Sequence, residues 1–169
     1  RYLAALTEFW RAHRECAGVL HFCGLGYSRP GDKPRPEGGA TSDHFVDLES
    51  LTFEPYFETF VKQAFNPLGL MLDFWFEEVA PGSLHDTKVF LINDLYEPWQ
   101  GDVRVSILKD GEEIWSRASR CLVKGLGRNV PVFAVEFPKE PGEYLLQAEL
   151  KDSVGKTIRS QRVFTVQAR

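Results

Sequence analysis

No apolar run in these 169 residues approaches the roughly 20 needed to cross a bilayer, and the first residues lack the basic-then-apolar pattern of a secretory leader. A Lys/Arg-rich run is missing too. With 20 basic against 24 acidic residues and a net charge of −4, the chain carries no electrostatic footprint for nucleic acid or an anionic membrane, so neither is expected as a partner. The three cysteines, Cys16, Cys23 and Cys121, are an odd number without CxxC spacing. They specify neither a disulfide framework nor a thiolate zinc site, and are expected as free thiols. Internal repeats and low-complexity tracts are absent, and nothing marks a compartment. What is abundant is core material: 43% hydrophobic and 13% aromatic residues, enough for one sizeable core or two small ones.

The pattern of that material changes once, near Asn66-Pro67. Before it, Tyr2, Leu3, Leu6, Phe9, Trp10 and His13 recur at helical spacing, which predicts an amphipathic helix that buries this face. "GVLHFCGLG" from Gly18 is mostly apolar without alternation, as in a strand covered on both faces. Residues 28–43 carry Pro30, Pro34, Pro36, Gly31, Gly38 and Gly39 and read as a long loop. A second helix is expected with Thr52 as N-cap and Pro55 in its first turn. Its stripe is Phe57, Phe60, Val61, Ala64 and Phe65, and Asn66-Pro67 stops it.

From Leu68 the period is two. "LMLDFWFEEV", "KVFLIND", "GDVRVSILKD", "EEIWSRASRCLVKG", "NVPVFAVEFP", "GEYLLQAELKD" and "KTIRSQRVFTVQ" are successive strand candidates, divided by turn signals such as Asp110-Gly111 and Pro141-Gly142. Leu70, Leu72, Phe74 and Phe76 are expected on one face of the first. Val103, Val105 and Ile107 should point inward from a hairpin turned by Asp110-Gly111, and "LGRN" at 126–129 reads as a turn. This half predicts an antiparallel, immunoglobulin-like β-sandwich.

A strand buried on both faces needs parallel neighbours, and no other segment before Leu68 supplies one. The expected fold class is therefore mixed. Residues 1–67 read as the last helix, strand, loop and helix of a larger α/β barrel whose other strands lie outside this sequence, and residues 68–169 as the sandwich.

The order "GVLHFCGLGYS", "TSDHF", "QAFNPLGLML" and "VFLINDLYEPWQG" resembles the C-terminal portion of a family 2-type glycoside hydrolase, the clan of β-galactosidases, β-mannosidases and β-glucuronidases. The resemblance implies hydrolysis of O-glycosidic bonds by the intact enzyme. It places the catalytic glutamate pair upstream of Arg1, so no catalytic residue is expected here and the chain alone should be inactive. It also implies the remaining barrel as partner and carbohydrate as substrate; a detached fragment of this kind should expose apolar helix faces and associate with itself or with the missing barrel. The family's tryptophan-bearing segment after the eighth strand is replaced by "HFCGLGYS", which leaves Phe22 or Tyr27 as the aromatic sugar wall.

Five residues are candidates for substrate binding around the loop: Phe22, Tyr27, Arg29, Asp43 and His44 supply the aromatic faces and planar polar groups that sugar recognition uses. Asp43, Asp47, Glu49 and Glu54 are read as turn, cap or helix-dipole residues rather than acid catalysts. His21, Asp43 and His44 lack metal-ligand spacing, and no metal or cofactor is expected. Trp75, Trp99 and Trp115 are candidates for a sugar platform on the sandwich, against core packing, the commoner fate of such residues. The alternative function is a noncatalytic carbohydrate- or protein-binding sandwich.

Overall fold

The computed structural model describes residues 2–15, 18–19, 45–47, 50 and 52–167. They divide into two compact units, Arg1–Lys62 and Gln63–Arg169.

In the first unit, α1 (Tyr2–His13) forms where the helical period predicts it, but it buries a different face. Ala4, Ala5, Thr7, Glu8 and Ala12 are covered, whereas Tyr2, Leu6 and Trp10 are 83%, 53% and 51% exposed. The helical period predicts the helix, whereas which of its faces is covered depends on what packs against it, which the period does not encode. A short hairpin of β1 (Phe45–Asp47) and β2 (Thr52–Phe53), unforeseen in the sequence, precedes α2 (Phe57–Ala64). Phe45, Phe53 and Phe57 stack in series at 4.6 and 5.1 Å. Thr52 is not the N-cap: it belongs to β2, and Glu54 takes that role. The Glu54 carboxylate accepts the Tyr56 N–H at 3.1 Å while its carbonyl accepts the Phe57 N–H at 3.0 Å. The helix stops before Asn66, as expected, with the Asn66 N–H donating to the Gln63 carbonyl.

The second unit is the sandwich. Its strands are β3 (Leu68–Asp73), β4 (Glu78–Val79), β5 (Leu84–Asn93), β6 (Trp99–Lys109), β7 (Glu112–Val123), β8 (Gly127–Asn129), β9 (Val132–Glu136), β10 (Gly142–Lys151) and β11 (Thr157–Val166). One sheet has the order β4-β11-β10-β6-β7. In the other, β5 is flanked by β3 on one side and by β8 and β9 on the other. Every pairing in the two sheets is antiparallel except β4 with β11. The chain thus begins in one sheet as β3 and crosses to the edge of the other as β4.

Each of the seven expected strands forms. Period-two alternation is unbroken in β9 and clear in β6, whose Val103, Val105 and Ile107 are wholly buried. They meet Leu72, Val89 and Leu91 of the facing sheet and Leu146 and Ala148 of β10 in one core. Burying each large aliphatic side chain contributes roughly 1.5–3 kcal/mol. The Asp110-Gly111 turn has φ of 52° and 88°, the doubly left-handed conformation of a two-residue hairpin, in which glycine is unstrained.

Three expectations are corrected. Phe76 is 57% exposed, because β3 ends at Asp73 and the alternation stops after Phe74 turns inward. "LGRN" is a turn only at Leu126: Gly127–Asn129 is β8, since β5 is long enough to pair with it beyond β9. "NVPVFAVEFP" is accordingly split, with Pro131, which has no N–H to give, in the gap between β8 and β9.

Two polar devices fix the frame. Tyr144, 3% exposed near the start of β10, donates its hydroxyl to the Glu140 carbonyl at 2.8 Å. Asn93, wholly buried at the end of β5, donates to the carbonyls of Glu97 (2.8 Å) and Lys124 (3.2 Å) and accepts from the Leu95 N–H (3.0 Å). One side chain thereby ties the β5–β6 loop to the β7–β8 turn.

Candidate functional site

Phe22, Tyr27, Arg29, Asp43 and His44 lie outside the described residues, as do His21, Cys23 and the strand and loop that carry them. Among the described residues, no group of three or more His, Cys, Asp or Glu converges as a metal site.

The three sandwich tryptophans do not form one platform. Trp99 is 8% exposed at the start of β6 and donates its indole N–H to the Lys151 carbonyl at 2.9 Å. Trp115 pairs with Ile107 at the other end of the β6–β7 hairpin and packs against the core. Eight residues along β6 separate Ile107 from Trp99, about 27 Å at the rise of a strand. Both serve packing.

Trp75 differs. It follows β3 and is 48% exposed. Its Nε1–H donates to Asp73 Oδ1 at 3.0 Å, and the Arg162 guanidinium lies over its ring, with Cζ 4.9 Å from the centroid. Asp73 and Trp75 are two residues apart, the spacing that puts side chains on one side of an extended chain. Arg162 comes from β11, where it also donates to the Leu72 carbonyl (3.2 Å) and the Gln161 carbonyl (2.9 Å). The Leu72 N–H is taken by Ser160 Oγ at 3.0 Å. Ser160 and Arg162 therefore satisfy the main chain of Leu72 on the edge of β3 that faces away from its partner strand β5, and the second of them also orients the indole. Trp75 was singled out in the sequence, but Asp73 was not. Arg162, 87 positions further on, gave no signal.

The outer surface of the β4-β11-β10-β6-β7 sheet is a polar ladder. Arg104 forks onto both Glu113 oxygens and reaches Ser116 at 2.8 Å, and Arg159 meets Glu149 at 3.3 Å beside Gln147 and Gln161. Hydrogen bonding from Arg104 holds the Glu113 carboxyl below the usual carboxylate range. That is the opposite of what an acid catalyst needs. Burial pushes the Cys121 thiol up, which leaves it inert as a nucleophile.

The two sheets, the edge crossing of β3 into β4 and the Tyr144 corner define an immunoglobulin-like sandwich. Residues 85–169 match the family model of the Mannosidase Ig/CBM-like domain, and the chain belongs to that family. No curated protein sequence matches it. Among solved structures, a cycloisomaltooligosaccharide glucanotransferase from Paenibacillus sp., complexed with cycloisomaltoheptaose, is similar at 15% identity and TM-score 0.48, over 59% of this chain and 14% of its own. The sporulation control protein Spo0M from Bacillus subtilis is similar at 15% identity and TM-score 0.44, over 60% of this chain and 49% of its own. The alkylpurine DNA glycosylase AlkC from Pseudomonas fluorescens, bound to DNA with an abasic site analog, is similar at 12% identity and TM-score 0.42, over 60% and 30%. The chain spans less than half of each of these.

Proposed function

We propose that this chain is the C-terminal part of a glycoside hydrolase, in which the sandwich is noncatalytic and braces an α/β barrel completed by residues upstream of Arg1. The observation that carries the reading is the match of residues 85–169 to the Mannosidase Ig/CBM-like domain. The order of "QAFNPLGLML" and "VFLINDLYEPWQG" supports the family 2 type.

The partners follow from the same reading: the rest of the barrel, and carbohydrate in the intact enzyme. Tyr2, Leu6 and Trp10, spaced by one helical turn and more than half exposed, are what a barrel helix would present to its absent neighbour. The Phe22, Tyr27, Arg29, Asp43 and His44 loop would contribute to a sugar subsite at the C-terminal end of the last strand. The paired carboxylates of a retaining glycosidase would come from upstream strands.

The test has two parts. The coding DNA upstream of Arg1 is expected to encode most of a barrel, roughly 250 residues in full, with glutamates at strand ends. The isolated chain is expected to leave nitrophenyl glycosides intact. Turnover by the chain alone would overturn the reading.

A further inference from the structure

We propose that Trp75 is a sugar-stacking platform on the sandwich, which takes the apolar C–H face of one pyranose ring of an oligosaccharide and is held ready by Asp73 and Arg162. Only the choice of sugar rests on the glycoside hydrolase reading; the platform rests on geometry.

Large apolar side chains left outside a core are normally free to change rotamer, and a ligand that stacks on one must immobilise it. Trp75 is already immobilised. Its indole N–H is fixed by Asp73 and its ring is covered on one face by the guanidinium of Arg162, which is itself pinned to two carbonyls. Yet 48% of the residue is exposed. Of the other two sandwich tryptophans, Trp99 is buried and Trp115 is half-buried against the core, so Trp75 is the most exposed of the three, and it carries an arginine over its ring.

The chemistry around the ring selects the ligand class. A pyranose with equatorial substituents presents an apolar C–H face about the size of an indole, with hydroxyls around its rim. Here the Asp73 carboxylate stands at the indole rim, where it can accept from a hydroxyl, and the planar Arg162 cation backs one ring face. Glu77, two residues beyond Trp75, is exposed, as is Phe76 between them.

The experiment titrates the 169-residue chain with cellohexaose and with mannohexaose and follows the four tryptophan indole N–H resonances by NMR. A saturable shift of the Trp75 resonance with at least one sugar is expected. Trp75→Ala should weaken that binding about tenfold, equivalent to about 1.4 kcal/mol, and Trp75→Tyr should retain most of it. Arg162→Met should weaken it by a smaller factor. Thermal unfolding of each variant separates lost binding from lost fold. No saturable shift with either sugar, binding unaffected by Trp75→Ala, or a shift confined to other tryptophans would each overturn the proposal. Because the readout is binding rather than hydrolysis, its failure is distinct from failure of the hydrolase reading.

Discussion

Tyr144 donates its hydroxyl to the carbonyl of Glu140, four residues upstream, across 2.8 Å. The ring is 3% exposed and stacks on Phe164 at 5.6 Å, so one side chain joins the loop before β10 to the centre of the core. Tyr144→Phe keeps the stack and removes the hydroxyl, which also interacts with the Lys109 ammonium. A loss of about 1 kcal/mol is expected, read as a lower urea midpoint with an unchanged slope. Tyr144→Leu, which also loses the stack, should cost about 2 kcal/mol more.

Asn93 and Gly125 act on the same loop pair. Asn93→Ala strands the carbonyls of Glu97 and Lys124 and the Leu95 N–H, and an expected cost is about 3 kcal/mol. A Cβ on Gly125 would lie 1.8 Å from the Tyr96 carbonyl oxygen, so Gly125→Ala must push two backbone segments apart at about 2–3 kcal/mol. Since both changes release the β5–β6 loop from the β7–β8 turn, the double variant should lose less than the sum. Full additivity in denaturant titration would show that the loops are fixed independently.

Glu113 provides a pH test. Its carboxyl is lowered in the folded chain by hydrogen bonding from Arg104, so the unfolded state binds the proton more readily. The pair's contribution is present above the ordinary carboxylate value and lost as pH falls through the lowered folded value. Both side chains are about two-fifths exposed, at 43% and 40%, so the effect should be small and screened by salt. The urea midpoints of wild type and Glu113→Gln should converge as pH drops and as salt rises. A difference that grew on acidification would have the wrong sign.

On the barrel reading, the Tyr2, Leu6 and Trp10 face of α1 should make the isolated chain self-associate. Leu6→Glu with Trp10→Glu should shift sedimentation velocity toward monomer, with little change in sandwich stability. A wild-type chain monomeric at high concentration would remove the expected apolar contact.

The sandwich was legible because its sequence is locally consistent. Alternation in "DVRVSIL", the Asp-Gly turn and glycine or proline at the other corners all point to the same strands. The site was less legible. Asp73 and Trp75 stand two apart in one extended stretch, whereas Arg162 reaches them from the last strand through a sheet arrangement that no local pattern encodes.

By itself, the sequence determined where most of the sandwich strands run, which side of β6 is buried and where α2 stops. Side-chain period and backbone-restricting residues act within a few positions of themselves. The tertiary structure alone decided which face of α1 is covered, that Glu54 rather than Thr52 caps α2, and that "LGRN" joins β5. It also decided that one tryptophan of three stays at the surface under an arginine. Each of these depends on which element arrives alongside, and the competition among apolar faces for a limited interior is settled only when the whole chain packs.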